Sequence, residues 1–281
     1  MKLRLLLMQV LAALLLQGAS SVRPDLSSAP TADEIMKRVA ANQDREQKER
    51  AQYLYDQHVK VVIRRTNGKL AREETTDLLV TPGPKGVTKK QQAVKGRYVK
   101  KGRTVEFEGD PVPDQDGLDY SLVHSMRDEL TADDSKDGLA KDLFPLTTEG
   151  QKDLAFQLTG EQTVENRAAY RISFRPADSH DIDWAGEALI DKEELQPVSV
   201  YTRLSRKFPL FVRTLLGTDL PGLGFSTRYK RVDKDVWFPV SFGTEFRLRA
   251  VFFINRNISL SLENRNFKRT SAESQIQYAA Q

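Results

Sequence analysis

The chain has 281 residues, and its 43 Lys and Arg side chains nearly balance 39 Asp and Glu side chains, for a formal net charge of +4. Proteins that bind nucleic acid concentrate an excess of cations on one face, so this balance argues against nucleic acid as the main partner. The sequence contains no cysteine, which excludes disulfide bonds and a lipid attached to cysteine and leaves the hydrophobic core to hold the fold.

The first twenty residues have the pattern of a secretory signal peptide. Lys2 and Arg4 precede an apolar run from Leu5 to Leu16, and small residues follow it. Because the run is too short for a stable bilayer anchor, we expect cleavage near Ala19 or Ser20; the alternative is a retained N-terminal membrane helix. Export of a chain of this size without disulfides indicates the bacterial periplasm.

A helix is predicted directly after a short linker, residues 21–30. Thr31 and Glu34 have the spacing of a capping box, in which each side chain accepts a hydrogen bond from the backbone of the other residue. Apolar residues then follow at helical spacing: Ile35, Met36 and Val39. Since the residues after Asn42 are polar, we expect this helix to pack against the protein only by its first half.

Alternation of apolar and polar residues with a period of two begins at Tyr53 and predicts β-strands. Two strands are joined at Asn67-Gly68, which is the strongest short hairpin signal. A basic segment, residues 93–108, is expected to form one further strand. The pattern indicates antiparallel strands that follow one another along the chain.

An acidic insertion, residues 109–150, interrupts the β pattern. Between Glu106 and Asp142 the sequence holds twelve carboxylates and three bases. Leu118, Leu122 and Met126 recur at intervals of four, which predicts a helix that packs on an apolar surface.

Two polar segments raise the question of a metal ion. His180 lies among aspartates, and we interpret this segment as a polar loop between strands. Residues 133–138 match the first positions of a calcium-binding EF-hand loop, but its twelfth position is Phe144, where the ion needs a bidentate glutamate. No serine-hydrolase, zinc-protease or nucleotide-binding motif occurs. We therefore expect no metal, no cofactor and no catalytic residue.

The second half of the chain is strongly β. Its alternating segments are joined by turns at Glu165-Asn166 and at Asp191 to Glu194. Clean alternation indicates sheets with one face buried and the other in water. We predict nine to eleven antiparallel strands in a sheet that curls, with helices covering its concave face; the fold class is α+β and mainly β.

The order of these motifs resembles the LolA-like superfamily. Three segments look like its successive hairpins: "GEQTVENRAAYRISFRP", "WAGEALIDKEELQPVSVYTRL" and "YKRVDKDVWFPVSF". The segment "ADEIMKRVAANQ" resembles the helix that opens these proteins after the signal peptide. The resemblance covers most of the mature chain, so we expect a single domain, residues 31–272, followed by a tail, residues 273–281.

The resemblance implies an incomplete β-barrel of about eleven strands with helices as a lid over a hydrophobic cavity. The superfamily includes periplasmic carriers of lipoproteins, outer-membrane lipoprotein receptors and a regulator of an anti-sigma factor, which bind acyl chains and catalyse nothing. The receptor is itself a lipoprotein, and the missing cysteine argues against that branch. We expect a periplasmic carrier of lipids or lipoprotein acyl chains; the alternative is an envelope-stress sensor or protein-interaction module that uses the same half-barrel.

One apolar insertion, residues 205–224, fits neither a clean strand nor a membrane span. As a helix it places its large apolar residues on one side, and Gly217 can end it. We expect this insertion to gate the mouth of the barrel and to contact acyl chains; the alternative is an ordinary helix that caps the core. The residues expected to contact acyl chains are Phe211, Leu215, Leu216, Leu220 and Leu223.

A basic cluster follows this insertion. Arg228, Lys230 and Arg231 are expected to contact anionic headgroups, a hypothesis motivated only by their clustering. The partners predicted from the sequence are therefore lipid or lipoprotein acyl chains, with peripheral membrane contact and envelope proteins as further candidates.

Overall fold

The strands of this protein form one antiparallel sheet on which two helices lie. The computed structural model describes residues 30–83, 86–111, 113, 117–131, 146–178, 184–204, 223–233, 236–250 and 254–270. The helices are α1 (Ala32–Arg50) and α2 (Leu118–Thr131). The strands are β1 (Tyr53–Arg65), β2 (Leu70–Gly83), β3 (Gly86–Lys100), β4 (Arg103–Glu108), β5 (Leu154–Val164), β6 (Arg167–Pro176), β7 (Trp184–Asp191), β8 (Pro197–Leu204), β9 (Gly224–Asp233), β10 (Val236–Ala250) and β11 (Ile254–Arg269).

The sheet has eleven strands in the order β4-β3-β2-β1-β11-β10-β9-β8-β7-β6-β5. Every neighbouring pair is antiparallel. The first and last strands, β1 and β11, pair in the middle, while β4 and β5 are the two edges. An open sheet of this order is an incomplete barrel, so the predicted fold class is confirmed.

One face of the sheet is buried beneath the helices, and we call it the inner face. In β1, Val59, Val61 and Ile63 are buried, whereas Arg64 lies on the outer face and is exposed. Register extends the inner face across the sheet, since Val59 pairs with Leu262 of β11. A period of two in the sequence thus becomes one continuous apolar layer.

The connections between strands leave the sheet at two ends, because alternate turns of an antiparallel meander share an end. At one end, which we call the upper end, the connections are residues 66–69, 101–102, 177–183, 205–223 and 251–253. At the other, the lower end, they are residues 84–85, 165–166, 192–196 and 234–235. The predicted lid-like insertion therefore belongs to the upper end.

Two predicted hairpin turns are confirmed. Gly68 has φ of +78°, and Glu165 and Asn166 have φ of +48° and +65°. Such left-handed conformations let a short turn follow the twist of the two strands that it joins.

The prediction of one strand over residues 93–108 is wrong. The segment belongs to two strands, β3 and β4, joined at Lys101-Gly102. Lys101 and Gly102 have φ of +49° and +77°, the conformation that an Asn-Gly or Asp-Gly pair normally signals. Lysine carries no such signal, so the turn is not visible in the sequence.

Helix α1 begins with the predicted capping box. The Glu34 amide donates to the Thr31 hydroxyl at 3.2 Å, and the Thr31 amide donates to the Glu34 carboxylate at 2.8 Å. Ile35, Met36 and Val39 are buried against the inner face. The start of the helix is therefore fixed both locally and by packing.

The expectation that α1 packs only by its first half is wrong. Gln43, Glu46 and Arg50 are also buried, with 2%, 3% and 5% of their surfaces exposed. The second half of the helix docks through hydrogen bonds instead of apolar contacts, so a hydrophobicity pattern does not reveal it.

Helix α2 confirms the helix predicted in the acidic insertion. Leu122 and Met126 pack against the inner face, as the spacing of four predicts, and Val123 between them is fully buried. The most extensive contacts of α2 are with β1 and β2.

Candidate ligand-contacting surface

Apolar side chains that are only partly buried gather on the inner face at the upper end of the sheet. We call this surface the apolar patch, and it consists of Trp184, Leu204, Leu223, Phe225, Phe246 and Leu248. Trp184 pairs with Leu204 across β7 and β8, and Phe225 pairs with Thr244 across β9 and β10. Neighbouring strands thus build the patch from residues far apart in sequence.

Aromatic contacts hold the patch together. The ring centroids of Trp184 and Phe225 are 5.5 Å apart, and those of Phe225 and Phe242 are 5.6 Å apart with the rings stacked. Phe242 is buried, so the row leads from the core to partly exposed rings. An aromatic row of this kind offers apolar surface of defined shape to an alkyl chain.

The two helices lie on either side of the patch. Helix α1 contacts β5 and β10, and it meets β10 at the lower end, where the Trp237 amide donates to Glu46 at 3.1 Å. The first turn of α2 is tied to β11 by Arg256, whose Nε donates to Asp119 at 2.7 Å. The upper ends of β7 to β10 therefore lie between the two helices.

One buried hydroxyl lies beside the patch. Thr202 is fully buried between Gly186 and Phe225, with which it pairs on β7 and β9. Its Oγ1 has no hydrogen-bond partner. A buried polar atom without a partner is costly, so Thr202 is a group that a polar atom of a ligand would stabilise.

Gly186 permits the close packing behind this row, and Gly186→Ala is expected to lower the free energy of unfolding by about 2 kcal/mol. An added Cβ would lie 1.9 Å from the Tyr201 carbonyl oxygen and 2.7 Å from the Phe174 ring. Gly243→Ala is the matched control, because its Cβ would be 3.7 Å from the nearest atoms. Urea titration of both variants measures the difference, and equal losses would contradict this account.

The patch surrounds the point at which the 205–222 segment leaves the sheet. The Leu204 amide donates to the Leu223 carbonyl at 3.1 Å, so the two ends of the segment are adjacent. Of the predicted acyl contacts, Leu223 is described and belongs to the patch. Phe211, Leu215, Leu216 and Leu220 lie outside the described residues, and their role stays a prediction.

The predicted headgroup residues lie away from this patch, toward the lower end. Arg228 forms an ion pair with Glu165 at 2.8 Å, and Lys230 is 3.8 Å from the same carboxylate. Arg231 pairs with Glu194 at 3.3 Å. Each cation thus has an acidic neighbour at the surface, and contact with headgroups stays a prediction for all three.

A buried charge cluster ties α2 to the sheet. Arg72 and Glu74, adjacent on the inner face of β2, have 0% and 1% of their side-chain surfaces exposed. Glu74 accepts from Arg72 at 3.2 Å and from Arg127 of α2 at 2.9 Å. The Arg72 guanidinium also lies 5.1 Å from the ring centroids of Phe107 and Tyr120. Two guanidinium groups therefore share the Glu74 carboxylate beneath the helix, and Arg127 also reaches the exposed Asp128 at 3.3 Å.

His124 borders this cluster but is not prepared for acid–base catalysis. The Arg127 guanidinium donates to its Nδ1 at 3.2 Å, since arginine has no acceptor. Burial and the neighbouring arginine lower the pKa of His124 below its ordinary value. The imidazole is therefore neutral near pH 7, with its basic nitrogen already occupied.

A second buried network joins α1 to the lower end of the sheet. Glu46 accepts from the Trp237 amide at 3.1 Å and from Gln196, which in turn accepts from Gln43 at 2.6 Å. Arg50 donates to the Trp237 carbonyl at 3.0 Å and reaches Glu46 only at 3.5 Å. Burial of the carboxylate outweighs these donors and raises the pKa of Glu46 to about 7.

The polar groups of the described residues do not gather into a metal site. No group of three or more His, Cys, Asp or Glu side chains suited to an ion occurs among those residues. The EF-hand-like residues 133–138 and the segment 179–183 with His180 lie outside them.

The helices of the described region are too short or too polar to cross a bilayer. The predicted signal peptide, residues 1–20, lies outside the described residues, as do most of the linker and the tail.

Comparison with known proteins finds similarity in structure only. No protein-family model and no curated protein matches the chain. A domain assigned to outer membrane lipoprotein sorting from Vibrio parahaemolyticus is 10% identical, with a TM-score of 0.37 over 84% of this chain and 94% of that one. A DUF1329 family protein from Desulfovibrio piger is 11% identical, with a TM-score of 0.37 over 87% of this chain and 95% of that one. A LolA superfamily protein from Nitrosomonas europaea is 10% identical, with a TM-score of 0.34 over 88% of this chain and 97% of that one.

The structure has the incomplete barrel that the sequence resemblance implies: eleven antiparallel strands in an open sheet, with two helices on one face.

Proposed function

We propose that this protein is a non-catalytic periplasmic carrier that binds the acyl chain of a lipid or lipoprotein against the inner face of its open sheet. The observation that supports the proposal most directly is the apolar patch, whose six side chains stay partly exposed between the two helices. Soluble proteins seldom leave neighbouring large apolar side chains incompletely covered unless a ligand or partner uses them.

The binding energy expected of such a patch suits a carrier. Removing a few hundred Å² of alkyl surface from water contributes on the order of several kcal/mol at about 25 cal/mol per Å². Part of this gain is offset by the ordering of the chain and of nearby side chains. Moderate affinity of this kind allows both loading and release.

The two tryptophans of the chain provide a test of where the alkyl chain binds. Trp184 belongs to the patch, whereas Trp237 is 3% exposed and lies at the lower end of the sheet. In a Trp237→Phe variant, we expect a brominated fatty acid, added below its micelle-forming concentration, to quench Trp184 fluorescence in a saturable manner. Bromine quenches indole only at contact, so quenching reports proximity of the chain.

The matched control is Trp184→Phe, which leaves only Trp237. Its fluorescence should be unaffected by the same fatty acid, because the buried ring is remote from the patch. Far-ultraviolet circular dichroism checks that both variants are folded. Absence of quenching in the Trp237→Phe protein, or equal quenching of both, would overturn the proposed binding surface.

A further inference from the structure

The upper end of the sheet carries many exposed cations. We call them the basic rim, and they are Arg64, Arg65, Lys69, Lys100, Lys101, Arg103, Arg175, Arg203, Arg247 and Arg249. They come from six strands and two turns, so no single run of sequence contains them. The strand order places all of them at the upper end of the sheet, where the apolar patch also lies.

The cations of the basic rim are not held in ion pairs with other described residues, although Glu187 and Glu245 line the same surface as some of them. Within the part of the chain that the structure describes, none of the ten makes an ion pair; Arg64 donates only to the Gly68 carbonyl and Arg247 only to Asn257. Exposed carboxylates near these strand ends are fewer among the described residues: Glu106, Asp153, Asp178, Glu187 and Glu245. The upper end therefore has a clear excess of positive charge.

Cations toward the lower end are arranged differently. Arg167 pairs with Asp191 at 2.6 Å, and Arg228 pairs with Glu165 at 2.8 Å. The net charge of the chain is only +4. The excess at the upper end thus comes from an uneven distribution of charge and not from a generally basic protein.

Two grooves on the outer face open at the basic rim. One, of about 630 Å³, is lined by Arg175, Ala185, Tyr201 and Arg203 among others. The other, of about 560 Å³, is lined by Arg64, Arg247, Arg249 and Asn257 among others. Guanidinium groups beside open grooves can approach phosphate oxygens closely.

We infer that the basic rim docks this protein onto the surface of an anionic lipid bilayer, with the upper end of the sheet facing the membrane. The inference rests on the proposed function, because docking in this orientation brings the apolar patch next to the lipid that it would accept. An extended rim of unpaired cations matches a surface of many phosphates better than it matches one small anion. The attraction between a cation and such a surface decays over about one Debye length of distance. It is therefore strongest when all the cations lie at the same end of the protein and can approach the membrane together.

The test is co-sedimentation of the processed protein with vesicles. We expect binding to vesicles of phosphatidylcholine that contain about one third phosphatidylglycerol, and little binding to phosphatidylcholine alone. The bound fraction should fall sharply between about 0.1 M and about 0.5 M salt, because salt screens the attraction.

The decisive variant is Arg175→Gln/Arg203→Gln/Arg249→Gln. Among the residues that the structure describes, these three side chains have no hydrogen-bond or ion-pair partner. Their replacement should therefore leave the fold intact. We expect the partition coefficient to fall roughly 10- to 100-fold.

The matched control removes three cations from the lower part of the sheet: Arg228→Gln/Lys230→Gln/Arg231→Gln. The two triple variants have the same net charge, so a difference between them reports position. If the basic rim, and not the headgroup cluster predicted from the sequence, docks the protein, the control should bind vesicles within about twofold of the wild type. Equal loss in both variants would overturn the inference, as would unchanged binding of the rim variant.

Binding to soluble polyglutamate but not to vesicles would also overturn it and assign the basic rim to an acidic protein. Quenching of Trp184 by the brominated fatty acid keeps the two proposals distinguishable. A protein that shows the quenching but not vesicle binding would retain the proposed carrier function and lose only the docking surface.

Discussion

Glu74→Gln is expected to lower the free energy of unfolding by about 3–5 kcal/mol, the largest effect that we predict for a single replacement. Glu74 accepts from two guanidinium groups, those of Arg72 and Arg127, and it is buried. The replacement removes the buried charge that both guanidinium groups share and puts an amide donor where an acceptor is needed. Urea titration of the variant and the wild type measures the loss.

A double variant separates charge from packing at this position. Arg72→Met/Glu74→Leu removes the buried cation together with the carboxylate, so we expect it to be more stable than Glu74→Gln. A Glu74→Gln protein within about 1 kcal/mol of the wild type would show that the carboxylate is not what holds the two arginines.

The stability of the wild-type protein is expected to fall by roughly 3 kcal/mol as pH rises from about 4.5 to about 7, through the Glu46 carboxylate alone. The pKa of Glu46 is raised from 4.5 to about 7 in the folded protein. In this window the folded state keeps a proton that the unfolded state has released. The contribution is therefore fully present below about pH 4.5 and lost as pH passes the folded value.

Glu46→Gln isolates this contribution, because the amide cannot ionise. If the Gln43 and Gln196 side-chain amides reverse, Gln196 accepts from the new amide and donates to Gln43, so the network stays satisfied. Between about pH 4.5 and about pH 8, we expect the free energy of unfolding of the variant to rise relative to that of the wild type by roughly 3 kcal/mol. Urea titrations across this range measure the gain; a constant difference between the two proteins would contradict the raised pKa.

The elements of this fold follow from local sequence signals. The capping box at Thr31, the Asn67-Gly68 turn and the alternation in the strands each act over a few residues, and all are confirmed. Lys101-Gly102 shows the limit of such signals, because its left-handed turn is formed without the usual asparagine or aspartate. A local pattern therefore predicts elements well where the residue type itself prefers the conformation.

Part of the candidate site could be predicted from the sequence. The apolar 205–224 insertion is flanked by strand residues of the upper end, where the apolar patch lies, and Leu223 belongs to that patch. Trp184, Phe225 and Phe246 were not predicted as contacts, because each reads as an ordinary strand residue. Only the pairing of β7 to β11 shows that these rings lie together at one end.

Residue preferences and a period of two were enough to predict the two described helices, most of the strands and the buried face of those strands, but not the division of residues 93–108 into two strands. Tertiary structure alone decided the charge arrangements. Glu46 and Glu74 look like surface residues of a helix and a strand, and they are buried because partners more than fifty residues away satisfy them. The basic rim likewise exists only because the strand order gathers cations from six strands at one end. Charge acts through space, so its effect depends on which residues the fold makes neighbours.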